Sequence, residues 1–107
     1  MTSSSFQRTL TLPASVCEQA VPHLEQAARR TVDGAGIPLK AFRAAADNDY
    51  TFPVSVVEQA AACLLVLATE TAQTVRPSAL RATISVALRL RDAVQAVHRP
   101  ALTTRFW

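Results

Sequence analysis

The side chains in this sequence best able to do chemistry include two cysteines and a histidine. Cys17 and His23 could form a thiol–imidazole pair, in which the histidine takes the thiol proton. No third residue is predicted to orient either of them, and both cysteines have apolar neighbours on predicted helices, where packing is the commoner role. We therefore expect Cys17 and Cys63 to be free, buried thiols and expect no enzyme activity.

The residue patterns typical of metal-binding and phosphate-binding sites are also absent from the sequence. Asp47 and Asp49 are close together, but a calcium loop needs more oxygen ligands and a glycine at its turn, so we expect a polar turn. The glycines are confined to positions 34 and 36, which excludes a glycine-rich phosphate loop. The sequence therefore predicts no cofactor, no metal site and no small-molecule substrate.

Length and composition favour one all-α domain over residues 1–107. Half of the 107 residues are hydrophobic, aromatic residues make up 6%, and there are 2 glycines, which disfavours small β-sandwiches and barrels. The net charge is +3, and Lys40 is the one cation that is not arginine. This charge permits nucleic-acid binding without requiring it.

Nothing in the sequence predicts a membrane or secretory segment. Residues 1–6 lack a basic region followed by an apolar run, so we expect no secretory signal. The most apolar segment, residues 54–68, contains Glu58 and Gln59 and is too short and amphipathic to span a bilayer. We expect a cytoplasmic protein, from a bacterium if the arginine- and alanine-rich composition reflects a GC-rich genome.

A short segment of the sequence occurs twice. Residues 11–20 read TLPASVCEQA and residues 51–60 read TFPVSVVEQA, with seven of ten positions identical at an offset of 40. Each contains the Ser-x-x-Glu spacing of a capping box at a helix start. Alternatively, each proline lies inside the first helical turn and the preceding threonine is the cap. The capping pairs would be Ser15 with Glu18 and Ser55 with Glu58.

Apolar periodicity predicts a four-helix bundle made of two αα-hairpins, built on this approximate 40-residue repeat. We expect Pro22 to kink or split the first helix and Gly34 to follow it as a left-handed cap. The predicted helices cover residues 15–32, 38–46, 55–75 and 78–98; the hairpins cover 11–50 and 51–98, after a flexible or strand-like arm at 1–10 and before a tail at 99–107.

The last predicted helix has more apolar surface than one packed face needs. Leu80, Ile84 and Leu88 form a second stripe beside its main apolar stripe, and the sequence closes with Phe106 and Trp107. These residues predict a surface for self-association or a protein partner. We therefore expect a non-enzymatic interaction module, of the inhibitor, immunity, adaptor or accessory-subunit type, which forms a homodimer.

An alternative function is that of a small dimeric DNA-binding transcriptional regulator. Arg81, Arg89 and Arg99 share one side of the last predicted helix and could contact phosphates. Residues 6–12 alternate in the manner of a short strand. The order strand, helix, helix resembles that of ribbon–helix–helix DNA readers, which insert paired strands from a dimer into the major groove. Against this resemblance, the first predicted helix is long and a further 60 residues follow.

Overall fold

The computed structural model describes residues 8–30 and 32–98 and is mostly helical. The described residues contain four α-helices, as predicted from composition and periodicity, together with one small two-stranded sheet. The order of elements is β1 (Thr9–Thr11), α1 (Ala14–Arg29), α2 (Gly36–Arg43), a 3-10 helix (Ala45–Asn48), β2 (Thr51–Pro53), α3 (Val54–Thr71) and α4 (Pro77–His98).

The sheet joins two distant parts of the chain. The strands β1 and β2 are antiparallel, and Leu10 lies opposite Phe52. Both of these side chains are buried, at 7% and 1% exposure. The strand expected within residues 6–12 is therefore present, whereas β2, which lies between two predicted helices, was not anticipated. On each strand a buried apolar residue lies between more exposed neighbours, which gives the sheet one packed face and one outward face.

Two prolines separate the strands from the helices that follow them. Pro13 and Pro53 precede α1 and α3 with nearly equal backbone angles, φ −58° ψ 143° and φ −58° ψ 140°. The Pro13 carbonyl accepts a hydrogen bond from the Cys17 N–H at 3.2 Å, which starts the helix. Ser15 and Ser55 thus lie within the first turn, and neither helix has a side-chain cap. Both predicted capping schemes, with serine or with threonine, are therefore wrong.

The first helix continues through its internal proline. Pro22 lies within α1, so the predicted split does not occur. The hydrogen bond that proline removes would have gone to the Glu18 carbonyl, and both residues lie on the exposed side of the helix. The helix ends at Arg29, before the predicted residue 32. Gly34 does adopt the expected left-handed φ, at +81°, but in the loop beyond the helix end.

The core is centred on α3, which packs most closely on α4 and also contacts α1 and α2. Side chains on successive inward turns of α3 are fully buried, as are central leucines of α1 and α4. Phe52 extends this core under the sheet. The residues at its centre are Val57, Ala60, Leu64 and Leu67 of α3, Leu24 of α1 and Leu90 of α4.

The apolar character of α3 also meets the length and composition criteria for a membrane span. Its 18 residues have a mean hydropathy of 1.4, and the helix extends beyond the apolar segment at 54–68 considered in the sequence. Half of this window is buried inside the protein, and core helices of globular proteins meet the same criteria. The helix therefore gives no information about membranes.

The inward face of α4 includes one polar side chain. Leu90 is fully buried and Ala82 is exposed, while Thr83 takes an inward position. The Thr83 hydroxyl lies 3.2 Å from the Ala79 carbonyl oxygen and 3.1 Å from His23 Nδ1. These hydrogen bonds satisfy the buried hydroxyl of Thr83, and the contact with His23 links α4 to α1.

Candidate nucleic-acid interface

The outward face of the sheet is small and mostly polar. Thr9 and Thr11 of β1 are exposed, while Thr51 and Pro53 of β2 are partly exposed. These residues alternate with the buried pair beneath the sheet, because successive strand side chains point to opposite faces. We call the paired strands, with this outer face, the ribbon (residues 9–11 and 51–53).

The ribbon is centred on two threonines. Thr11 lies directly opposite Thr51, and these residues occupy the same position in the two matching sequence segments. Their Oγ1 atoms are 2.9 Å apart, which is hydrogen-bonding distance. The Thr51 hydroxyl also donates to the Asp49 carbonyl oxygen at 3.3 Å. The centre of the outer face is thus a linked hydroxyl pair held by the backbone.

Backbone hydrogen bonds continue the ladder beyond both ends of the ribbon. The Leu12 N–H donates to the Tyr50 carbonyl at 2.9 Å, and the Val54 N–H donates to the Arg8 carbonyl at 2.9 Å. Further pairing at both ends steadies strands that are each three residues long. The backbone pairing of the ribbon therefore extends beyond its three residue pairs at both ends.

A tight turn precedes β2. Asp49 and Tyr50 both have positive φ, at 53° and 58°. Aspartate tolerates this left-handed region, whereas tyrosine adopts it at a cost of about 1–2 kcal/mol. The Tyr50 N–H donates to the Ala45 carbonyl at 2.8 Å and helps to hold the turn. The polar turn predicted around Asp47 and Asp49 is present, and both of these carboxylates are exposed.

Arg8 marks the opposite end of the ribbon. Its guanidinium donates from Nη1 to the Val97 carbonyl oxygen at 3.2 Å, in the last turn of α4. Carbonyl groups at a helix C-terminus lack intrahelical partners and attract cations, so the contact is favourable. Arg8, bonded to α4, therefore lies at one end of the ribbon. Asp49, with its carboxylate, precedes the strand at the other end.

The predicted partner surface on α4 is partly exposed. Leu88 is 47% exposed, and Leu80 and Ile84, on preceding turns of the same side, are partly buried. Phe106 and Trp107, expected to belong to this surface, lie outside the described residues. Leu88 thus lies at the surface, and Leu80 and Ile84 are only partly covered.

The predicted phosphate contacts are exposed where they can be located. Arg81 and Arg89 are both exposed on α4. The Arg89 guanidinium donates to Gln19 Oε1 of α1 at 3.1 Å, a contact that the sequence did not suggest. Arg99 lies outside the described residues.

The thiol–imidazole pair considered in the sequence is not formed. Cys17 and Cys63 are free and 2% and 3% exposed, and burial raises the pKa of both thiols. His23 instead lies against Thr83, and burial lowers the pKa of its imidazole. Raised thiol pKa values reduce the thiolate fraction, so the environment of these cysteines suits packing better than nucleophilic chemistry.

A shallow groove runs between α3 and α4. Its volume is about 330 Å³, and its lining combines Glu58 and Arg91 with an apolar floor. The floor includes Ala61, Ala62 and Leu65 of α3 and Val94 of α4. Among the described residues, no group of three His, Cys, Asp or Glu side chains could hold a metal ion.

Comparisons with known proteins assign no family. No family model, no curated protein and no solved structure matches the chain.

Proposed function

We propose that this chain is a small DNA-binding protein that places the ribbon in the major groove of a duplex. The observation that carries the proposal is the antiparallel pairing of β1 with β2, whose outward face consists of three threonines and Pro53. The major groove, about 12 Å wide, admits a two-stranded β-ribbon. Short hydroxyl side chains on its outer face suit hydrogen bonding to base edges and phosphates.

The proposal includes a repeated architecture: two copies of one strand–helix–helix unit, each ending in a helical hairpin. Its support is that α1 and α3 follow equivalent prolines with nearly equal angles and that Thr11 lies opposite Thr51. On this interpretation, the further 60 residues that count against the ribbon–helix–helix resemblance contribute the second strand. One chain then contains what such readers assemble from two.

The net charge is the second observation that supports DNA binding. The net charge is +3, and Arg8 lies at one end of the ribbon. Phosphate contacts by arginine contribute most of the sequence-independent affinity of DNA-binding proteins. Arg81, Arg89 and Arg99 are the candidates for such contacts on and beyond α4.

The test is the salt dependence of binding to a fluorescent duplex of random sequence. We expect binding at low salt, with log K falling linearly against log salt concentration. Replacing Arg81 and Arg89 with Gln should reduce the slope by about 0.9 for each phosphate that the protein no longer neutralises. A matched control replaces exposed Arg29 and Lys40 with Gln and changes net charge equally. Absence of duplex binding by the intact chain at low salt would refute the proposed function.

A second candidate is a protein-interaction module, favoured by the 47% exposure of Leu88 beside Leu80 and Ile84. Covering this strip with a second copy of the chain would remove apolar surface from water, which favours association. Arg81 and Arg89 lie on the same helix as this strip, but variants of the leucines leave the arginines and the ribbon unchanged, so self-association and DNA binding can be measured separately.

A further inference from the structure

We propose that one chain, acting without a second copy, recognises a duplex site that lacks dyad symmetry. This inference rests on the proposed function and specifies the kind of DNA sequence that the ribbon would read. It concerns the centre of the ribbon, where the two strands are alike, and its two ends, where they differ.

The number of chains expected at one DNA site follows from which chain supplies each strand. Both strands belong to one chain, and the ladder of backbone hydrogen bonds extends from Arg8 and Val54 to Leu12 and Tyr50. A reader built from one strand per chain must dimerise before its ribbon exists. Here the recognition element is complete in the monomer, so one chain should occupy one site.

The centre of the ribbon offers hydrogen-bond acceptors. When the Thr51 hydroxyl donates to the Asp49 carbonyl oxygen, Thr11 is the donor in its pair with Thr51. With both protons engaged, the hydroxyl oxygens have only lone pairs left for a ligand. In the major groove, the complementary donors are the amino groups of adenine and cytosine. The central step of the site should therefore present such amino groups.

The ends of the ribbon differ chemically. At the 40-residue offset, Arg8 and Thr9 correspond to Asn48 and Asp49. The first end has exposed Thr9 beside Arg8, which is bonded to Val97, whereas the second end has the exposed carboxylate of Asp49, and the Asn48 amide donates to the Ala44 carbonyl oxygen. A carboxylate repels phosphates and accepts a hydrogen bond from the cytosine amino group. A sequence read by these unequal ends cannot have the same optimal bases on both flanks.

The first experiment selects duplexes from a random pool with the full chain and then measures the mass of the complexes by native mass spectrometry. We expect an enriched motif without a palindrome and a complex of one chain per duplex. Enrichment of a palindromic motif, or a complex containing two chains, would overturn the inference and leave DNA binding intact. Failure to retain any duplex would overturn the proposed function, and the inference with it.

The second experiment compares Asp49→Asn with Asp47→Asn on the selected duplex and on duplexes altered at each flanking base pair. Asparagine tolerates the left-handed backbone at position 49, and both variants remove one exposed carboxylate. We expect Asp49→Asn to change the preference at one flank by roughly ten-fold. Asp47→Asn should strengthen binding without changing base preference. Equal base preferences in both variants would contradict the role given to Asp49.

Discussion

The ring of Phe42 stacks on the ring of Phe52, with centroids 4.6 Å apart and an angle of 16° between the ring planes. Phe42 belongs to α2 and Phe52 to β2, so the contact supports the ribbon from its buried side. Both rings are almost fully buried, at 2% and 1% exposure. Offset stacking adds to the apolar burial of such pairs. The position of the ribbon's outer face therefore depends on a side chain from a different element.

Replacing Phe52 with Ala should lower the free energy of unfolding by about 3–5 kcal/mol, because it removes a large buried ring and leaves a cavity. Urea denaturation followed by circular dichroism measures the change. Val66, 43% exposed on α3, provides the control. Val66→Ala should alter stability by no more than about 0.5 kcal/mol. Similar losses of stability in the two variants would show that Phe52 is not a core residue.

The threonine pair should couple energetically. In a double-mutant cycle with Thr11→Val and Thr51→Val, we expect a coupling energy in unfolding of about 0.2–1 kcal/mol, typical of cross-strand pairs. Valine keeps the branched shape that favours strands and removes only the hydroxyl. If the ribbon binds DNA, both single variants should bind selected duplexes more weakly while remaining folded. Additive effects on stability would contradict a hydroxyl–hydroxyl bond in solution.

Acid should destabilise the protein through His23. Because burial lowers its pKa from the usual 6.5 in the folded state, the unfolded chain binds the proton more tightly. The stability contributed by the neutral imidazole is complete above the unfolded pKa and is lost as pH falls through the folded pKa. Urea unfolding at several pH values between about 7.5 and 5.5 should show this slope.

The matched variant for this titration is His23→Gln, which retains a polar partner for Thr83 but does not titrate. Its stability should change less than that of the parent chain over the same pH range. An unchanged slope in the variant would assign the acid sensitivity to other groups.

Self-association, if present, should depend on Leu88. Leu88→Gln should raise the dissociation constant measured by sedimentation velocity, because it removes apolar surface from the strip shared with Leu80 and Ile84. Val66→Gln is the control, since Val66 is similarly exposed but lies on α3. Sedimentation of the parent chain as a monomer at all concentrations would exclude the homodimer and would agree with the one-chain complex proposed for DNA.

The helices were predictable from sequence because their signal is local. Apolar spacing located all four, with ends shifted by a few residues, as at Arg29 and Thr71. The starts of α1 and α3 lie within one residue of the prediction, but the predicted capping was wrong, because Pro13 and Pro53, two residues before the serines, occupy the cap position. An extended proline at the cap position leaves the serine two residues too late to cap the helix.

The ribbon was predictable only in part. Alternation of Thr and Leu around Leu10 favours a strand, but three residues at Thr51–Pro53 next to a helix start are too few to show a period. Its partner could not be found from spacing, because pairing between residues 40 positions apart is a property of the tertiary fold. The repeated TLP and TFP segments were the available clue to that partner.

The pairing of Thr11 with Thr51 also affects the order of folding. It joins residues 40 positions apart, so the strands can meet only after the intervening chain has closed a long loop. A chain interrupted before β2 would leave β1 as an open edge, whose unpaired backbone groups favour association with other chains. The ribbon can therefore form only after β2 has been synthesised and the two halves of the chain have come into contact.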